Sequence, residues 1–175
     1  MKEHDEHMKS RASQVIIVTG DRDLLQLVED ERVFVYMPVK GLSEAKLYDE
    51  AGVVERMGVP PNQVPDLKAF AGDASDNYPG VAGIGPKTAV ELLKTYGTVE
   101  NLYRKLKDDP SVLTQSVREK LLAGEKDAIL SKELATVRTD VPIDVALEAL
   151  SLSSLDTPEA RVVLETFRFP SLLKR

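Results

Sequence analysis

The sequence of 175 residues contains no cysteine and no tryptophan, and aromatic residues make up only 5% of it. The absence of cysteine excludes disulfide bonds and thiolate-metal sites, and it agrees with a reducing compartment. No apolar run approaches the length of a membrane span, and no signal peptide is recognisable at the start. With 42% hydrophobic and 30% charged residues, the composition predicts a soluble globular domain, alone or with a small satellite.

Charge is distributed unevenly along the chain. The net charge of −6 argues at first against a nucleic-acid partner. Residues 1–77 hold 15 acidic and 9 basic residues, whereas residues 78–107 hold five basic and two acidic ones. A basic middle beside an acidic region is compatible with a metal site next to a contact with the DNA backbone. A solvated helix face would account for the lysines equally well.

Two aspartates follow the first predicted strand. The β-branched run at 15–18 predicts a strand buried on both faces, as in a parallel sheet. Asp21 and Asp23 come at its carboxyl end, where ligand sites form in open α/β sheets. A short helix is predicted over residues 24–28, so either aspartate could instead cap that helix. Both interpretations stay open.

Two further aspartates lie in the stretch that begins at Gly72. Asp73 and Asp76 are three residues apart, with Ser75 and Asn77 beside them. Hard oxygen ligands of this kind suit Mg²⁺ or Mn²⁺, although aspartates in such a pattern are also common turn formers. With the strand-end aspartates they could share one or two divalent ions, which in phosphodiester hydrolysis lie about 4 Å apart.

A glycine-punctuated turn comes next, and a helix is predicted to start at Pro86. Val81 and Ile84 are expected to anchor the turn in the core, while the glycines let the backbone approach a partner closely. Backbone amides at the helix start suit a phosphate group, so the turn predicts sequence-independent duplex binding. A plain connector between two helices is the alternative. The predicted DNA-contacting residues are Gly80, Gly83, Ile84, Gly85, Lys87 and Thr88.

The remaining pattern predicts strands first and helices afterwards. Strands are expected at 32–36 and 46–48, with a turn at 38–41 between them. Helices are expected from Glu50 to a stop at Gly58, from near Val64, from Pro86 to Gly97, over 99–107, within 113–137 with a hinge at Gly124, and after Thr157. The predicted fold class is α/β, a partial parallel sheet edge followed by a helical subdomain. The predicted divisions are a polar N-terminal segment or helix remnant at 1–14, a partial core at 15–77 and the helical part at 78–175.

Residues 19–27 and 72–89 closely resemble the 5′→3′ exonuclease domain of bacterial DNA polymerase I, in the flap-endonuclease family. Residues 134–142 are similar to a late segment of the same domain. The resemblance implies a two-metal nuclease that cleaves 5′ ends and flaps of DNA in replication and repair. It also implies a bacterial cytoplasmic location with a nucleoid-associated function.

The resemblance also implies roles for particular residues. Asp21, Asp23, Asp73 and Asp76 would be carboxylates of the second metal position. Residues 80–89 would form the family's helix–three-turn–helix, an element of the helix-hairpin-helix type that grips duplex DNA. That element would hold a K⁺ ion on backbone carbonyls around Val81 and Ile84.

One departure from the family pattern is large. The family domain begins with a strand bearing an aspartate, a basic helical arch and an acidic cluster for the first metal, and this chain has no counterpart. We therefore expect a C-terminal half, partnered by the missing N-terminal half and a polymerase portion, with little or no hydrolysis by this polypeptide alone. The alternative is an inactive, sequence-independent DNA-binding module. An exposed sheet edge also predicts a possible homodimer.

Overall fold

The structure, a computed structural model, describes residues 14–40, 44–146 and 157–173. The chain divides into two compact units, Met1–Arg138 and Thr139–Arg175. The predicted N-terminal segment 1–14 lies, except for Gln14, outside the described residues. Within the described ranges, no helix is long and apolar enough to cross a bilayer. The predicted mixture of a small sheet and a larger helical part is confirmed.

The described strands form one small sheet in the first unit. They are β1 (Val15–Val18), β2 (Val33–Lys40) and β3 (Glu44–Tyr48), in the order β1-β2-β3. Strand β1 pairs parallel to β2, as expected, and β3 pairs antiparallel to it with an irregularity between Pro38 and Lys40. The predicted turn at 38–41 is wrong over 38–40, because the bulge lets β2 pass through Pro38 without losing β3. Residues 41–43 lie outside the described residues.

Strand β1 is not buried on both faces, and that prediction is wrong. Its side chains at Val15 and Ile16 are 52% and 53% exposed, and Val18 is 73% exposed. The physical reason is its position, since among the described residues β1 pairs with β2 alone and forms the sheet edge. A continuous β-branched run predicts a strand, but what covers its faces depends on neighbours elsewhere in the chain.

Helices make up most of the rest of the described chain, and their ends follow the local sequence signals. The Asp49 side chain accepts from the N–H of Gly52 at the start of the first helix, and Gly58 ends that helix with φ 78°. The predicted helix at 24–28 is instead a 3₁₀ helix, Arg22–Leu27. The α-helices are α1 (Glu50–Met57), α2 (Val64–Ala71), α3 (Pro86–Tyr96), α4 (Val99–Asp108), α5 (Gln115–Ala123), α6 (Glu125–Ala135) and α7 (Pro158–Thr166). Further 3₁₀ turns lie at Pro61–Gln63 and Pro110–Val112.

Helix α2 is the centre of the first unit. Every residue from Val64 to Phe70 is buried, including the charged Asp66 and Lys68. Asp66 accepts the N–H of Val99 at 2.8 Å and pairs with Lys132 of α6 at 2.7 Å. A buried charge is tolerated only when it is paired and hydrogen-bonded. This network therefore fixes α2 against α4 and α6. Lys68 takes no part in it and pairs with other carboxylates.

The loop after α2 is closed by a very close backbone approach. A Cβ added at Gly80 would lie 2.3 Å from the N atom of Gly72 and 2.6 Å from its Cα. Gly80 also has φ 59°, a conformation that side-chain-bearing residues rarely adopt. Gly80 is therefore required for closing the segment that carries Asp73 and Asp76.

We expect Gly80→Ala to lower the free energy of unfolding by about 3 kcal/mol or more, because a strained φ and a backbone clash add together. Gly85→Ala is the matched control on the same turn, since nothing lies within 4 Å of an added Cβ there. Urea unfolding followed by circular dichroism measures both variants. Equal stability of the two variants would contradict the close approach.

Candidate acidic site and glycine turn

Three of the four predicted aspartates converge. Carboxylate oxygens of Asp23, Asp73 and Asp76 lie within 4.8 Å of one another. Asp23 is buried in the 3₁₀ helix that follows β1, and the other two lie on the loop after α2. Two segments that are fifty residues apart in sequence thus meet at one acidic pocket, named here the carboxylate cluster.

The loop that carries two of these carboxylates is a tight, locally hydrogen-bonded turn. The N–H of Asp73 donates to the carbonyl of Tyr78 at 3.0 Å, and the reverse bond is 2.9 Å. Asn77 adopts φ 61°, which suits its short polar side chain. Asp73 Oδ1 accepts both the N–H of Ser75 at 2.9 Å and its hydroxyl at 2.5 Å. The turn-forming interpretation of Asp73 is therefore correct, and it does not remove the carboxylate from the cluster.

Asp21 lies outside the carboxylate cluster. Its exposed side chain accepts the N–H of Asp23 at 2.9 Å and caps the 3₁₀ helix. Its own N–H donates to the Thr19 hydroxyl at 3.0 Å. Of the two strand-end aspartates, Asp23 thus reaches the pocket and Asp21 caps the 3₁₀ helix; the assignment of Asp21 as a metal ligand stays a prediction.

Lys68 was missed by the sequence analysis, and it lies at the centre of the cluster. Its Nζ is 2.7 Å from Asp23 Oδ1 and 3.9 Å from Asp76 Oδ2, and it hydrogen-bonds to Asp73 Oδ2. The side chain of Lys68 is 6% exposed. The available signal was a lysine inside a mostly apolar helical window, five residues before Asp73. Such a buried ammonium needs carboxylates around it.

Tyr78 is a second residue that the sequence analysis missed. Its hydroxyl donates to Asp23 Oδ2 at 3.1 Å, and its ring lies 5.8 Å from Lys68 Nζ. Burial and the neighbouring Asp23 charge raise the pKa of this phenol, so it remains a donor at neutral pH. Tyr78 therefore orients one oxygen of Asp23 and leaves the other facing the cluster.

The electrostatics of the cluster favour the charged forms of Lys68 and Asp73. Burial lowers the pKa of Lys68, but hydrogen bonds and charge from Asp23 and Asp73 outweigh it and raise that pKa above its ordinary value. Burial likewise raises the pKa of Asp73, and bonds from Lys68 and Ser75 reverse this and lower it to about 2. The cluster is therefore an ion network at neutral pH.

The donor set fits a divalent cation. Three carboxylates around one ammonium leave a formal charge of −2, and hard oxygen ligands are those that Mg²⁺, Mn²⁺ and Ca²⁺ prefer. Asp23 Oδ1 is fully buried and faces the Lys68 ammonium at 2.7 Å. A buried carboxylate oxygen that already has a cation beside it lies in an environment that suits a cation ligand.

The glycine turn lies directly after the acidic loop. Val81 and Ile84 are each 3% exposed, and the Ile84 N–H donates to the Val81 carbonyl at 3.0 Å. Between them, Ala82 and Gly83 are exposed. The predicted anchoring of the turn by its two apolar side chains is thus confirmed.

The start of α3 leaves backbone donors without a side-chain cap. Gly85 is its N-cap residue and makes no side-chain cap hydrogen bond, and Pro86 is at the first helical position. Lys87 is exposed and Thr88 is half-buried in the same first turn. An N-terminal helix end of this kind attracts anions. The helix–three-turn–helix classification and the K⁺ site at Val81 and Ile84 stay predictions.

Lys120 adds a positive charge that the sequence analysis did not assign to this surface. Helix α5 places its Nζ 3.3 Å from the Gly83 carbonyl, and a Cβ added at Gly83 would meet the lysine side chain at 3.1 Å. Lys120 is 37 residues from Gly83 in sequence, so no local pattern could show the contact. The turn therefore has two lysines beside its exposed backbone, Lys87 and Lys120.

We expect Lys68→Met to lower the free energy of unfolding by about 3 kcal/mol at pH 7 without divalent ions, because three carboxylates would lose their shared cation. The deficit should shrink as pH falls. The lowered Asp73 pKa stabilises the wild type above the ordinary value of 3.8, and this stabilisation is lost as pH falls towards 2. The variant keeps only the part of this stabilisation that the Ser75 hydrogen bonds supply, so it has less to lose.

Urea unfolding between pH 7 and pH 3 in the presence of EDTA measures this difference. Lys94→Met is the control, because the exposed Lys94–Glu91 pair should contribute less than about 0.5 kcal/mol. A Lys68→Met deficit that is absent at pH 7, or that is unchanged at pH 3, would contradict the ion network.

Comparison with known proteins places this geometry in a family. Residues 59–158 match the family model described as 5′-3′ exonuclease, C-terminal SAM fold. The chain is 41% identical over 168 residues to DNA polymerase I of Caldicellulosiruptor bescii, covering 95% of this chain and 19% of that protein. It is 44% identical over 160 residues to the thermostable DNA polymerase I of Thermus filiformis, covering 91% and 18%. The chain thus spans about one fifth of the length of these relatives.

Solved structures of nucleases are similar to this chain as well. A T5 5′-exonuclease with bound divalent zinc ions is similar with a TM-score of 0.59 and 25% identity, over 70% of this chain and 42% of that chain. A bacteriophage T5 D15 flap endonuclease variant with DNA and metal ions gives 0.60 and 25%, with the same coverage. The catalytic core of Rad2 with DNA gives 0.56 at 18% identity over 86% and 50%, which shows the fold alone.

The family model covers more than half of the chain. It includes Asp73 and Asp76 of the carboxylate cluster, and it also includes Lys68 and the whole glycine turn. The predicted resemblance is therefore confirmed, and the enzyme class that it implies is that of nuclease hydrolases. The chain belongs to the 5′→3′ exonuclease family of bacterial DNA polymerase I.

Proposed function

We propose that this chain forms part of a divalent-metal-dependent 5′→3′ exonuclease and flap endonuclease domain that acts on DNA in replication and repair. The observation that supports this most directly is the convergence of Asp23, Asp73 and Asp76 immediately before an exposed glycine turn. A metal site next to a phosphate-binding backbone is the arrangement that phosphodiester hydrolysis needs. In this proposal residues 15–77 supply the partial core, and residues 78–175 supply the DNA-binding part.

Asp23, Asp73 and Asp76 would hold one Mg²⁺ or Mn²⁺ ion, the second of a two-metal pair. When bound, such an ion polarises a phosphoryl oxygen and lowers the pKa of a coordinated water. The chain's own residues prepare the ligands. Tyr78 orients Asp23 and Ser75 orients Asp73, each through a hydrogen bond to the carboxylate.

Lys68 would act on both the ligands and the substrate. Its ammonium pairs with the carboxylates of the cluster and holds them together. Displaced from the carboxylates by an ion, it would remain beside them as the nearest positive charge for a phosphate oxygen. A buried lysine in this position also keeps the pocket from accumulating three unopposed negative charges.

The glycine turn and the start of α3 would bind the duplex backbone. The proposed contacts are the backbone at Gly80, Gly83, Ile84 and Gly85 and the side chains of Lys87 and Thr88, joined by Lys120. Such contacts bind any sequence because they reach only phosphates. A K⁺ ion on the Val81 and Ile84 carbonyls stays part of this proposal, with Val81 already accepting the Ile84 N–H.

A second candidate function is a DNA-binding module that does not hydrolyse its substrate. Within the described residues a single group of three acidic side chains could hold a metal ion, whereas the two-metal mechanism needs ligands for a second ion. We therefore expect this chain alone to bind metal and duplex but to cleave a 5′ flap slowly, and cleavage to need the remainder of a polymerase I nuclease domain. No comparison supports the predicted homodimer, and we do not propose it.

The metal site is tested by Mn²⁺ binding, followed by electron paramagnetic resonance. We expect Asp73→Asn to weaken Mn²⁺ affinity at least about tenfold, because a charged ligand is lost. Asp21→Asn is the matched control and should stay within about threefold, because Asn keeps the helix cap and Asp21 is outside the cluster. If both substitutions weakened binding equally, Asp21 would be a ligand as the sequence predicted.

The duplex site is tested by fluorescence anisotropy with a labelled duplex over a range of salt concentrations. We expect Lys87→Gln and Lys120→Gln each to weaken binding and to reduce the salt slope by about 1, because each removes one phosphate contact. Lys46→Gln, on β3 of the sheet, is the matched control. A slope that changes equally in all three variants would show that only net charge matters.

A further inference from the structure

Helix α6 is joined by polar contacts to both halves of the proposed site. Near its C-terminal end, Ser131 Oγ accepts the N–H of Gly80 at 3.0 Å, at the start of the glycine turn. One turn later the Leu134 carbonyl lies 3.4 Å from the Tyr78 hydroxyl, which also donates to Asp23. One helical segment therefore contacts the residue that begins the turn and the residue that orients a member of the carboxylate cluster.

A third contact ties the same helix to the other acidic segment. Gln26 donates through Nε2 to the carbonyls of Ala135 at 2.8 Å and Asp23 at 2.7 Å. Its Oε1 accepts the N–H of Val137 at 3.0 Å. The end of α6 is thus fixed to the backbone of Asp23 as well as to Tyr78. Movement of this helix would shift both acidic segments together.

The Ser131 hydroxyl is the hydrogen-bond acceptor of a buried backbone N–H group, that of Gly80. Its residue exposure is 0%, and the Gly80 amide that it accepts is also buried. A buried N–H without a partner is costly, so this bond fixes the Gly80 backbone. Gly80 itself is already pressed against Gly72, and it has no freedom to find another acceptor there.

We propose that Ser131 is a positioning residue that holds the glycine turn at a fixed spacing from the carboxylate cluster, so that duplex bound at the turn and a divalent ion bound at the cluster strengthen each other's binding. This inference rests on the proposed function. The physical reason is that one phosphodiester must meet both surfaces at once. If the turn were free to shift by a fraction of an ångström, the duplex and the ion would each still bind, but neither would strengthen the binding of the other.

The test measures the affinity of the full chain for a 5′-flapped duplex with and without Ca²⁺, at matched ionic strength. Ca²⁺ stands in for Mg²⁺ as a hard, oxygen-bound cation. In the wild type we expect Ca²⁺ to raise duplex affinity at least about fivefold, within the usual range of coupling between two sites. Ser131→Ala should reduce this ratio to below about twofold, while each ligand alone binds within about threefold of the wild-type affinity.

Ala128→Gly is the matched control for lost stability. It lies on the same helix one turn earlier and is 0% exposed, it has no hydroxyl to accept the Gly80 N–H, and glycine weakens a helix. It should lower the thermal midpoint and keep the wild-type coupling ratio. Hydrogen exchange of the Gly80 amide should accelerate in Ser131→Ala and stay slow in Ala128→Gly, which tests the bond independently of ligands.

The outcomes separate the two proposals. If the wild type bound neither the ion nor the duplex, the proposed function would fail and this inference with it. If the wild type bound both ligands without coupling, or if folded Ser131→Ala kept the wild-type ratio, the role of Ser131 would be overturned while the proposed function survived. An equal loss of coupling in Ala128→Gly would also overturn it, because general destabilisation would then explain the effect.

Discussion

Burial of helix α2 from Val64 to Phe70 is the constraint on which the first unit depends. A helix covered on all sides has no solvent for its charged residues, so Asp66 and Lys68 must each be neutralised by protein groups. Because these residues are two positions apart, they leave the helix on opposite faces. Asp66 forms a hydrogen bond with α4 and an ion pair with α6. Lys68 forms ion pairs with the 3₁₀ helix after β1 and with the acidic loop. Packing and site assembly thus follow from one buried segment.

The acidic pocket is consequently formed by the fold itself. Its carboxylates are held by an ion pair with Lys68 and by hydrogen bonds from Tyr78 and Ser75. Like charges this close would repel one another and open the loop if they were left alone. The close approach of Gly72 and Gly80 then fixes where the acidic loop ends and the glycine turn begins. The metal-binding and duplex-binding surfaces of the proposal are therefore neighbours by backbone geometry.

Sequence patterns predicted the features that nearby residues determine and missed those that depend on contacts far apart in sequence. Helix limits at Gly58, Gly97 and Gly124 were predictable because caps and breakers act within a few residues. The exposure of β1 was not predictable, since burial of a strand depends on distant neighbours. In the site, the aspartates carried a recognisable pattern, and the motif resemblance made it specific. Ser131 had no signal, because a serine inside a helix looks the same whether or not an amide 51 residues away needs it.

The way Lys68 occupies the cluster has a consequence for how an ion would enter. Asp73 is ionised well below neutral pH, so an arriving divalent cation would exchange with an ammonium and would not compete with a proton at that carboxylate. Binding of a cation to such a pocket would replace one positive charge by another. The heat of binding should then contain no contribution from deprotonation of Asp73, whatever the ionisation enthalpy of the buffer, and monovalent salt should weaken the ion's attraction to that carboxylate.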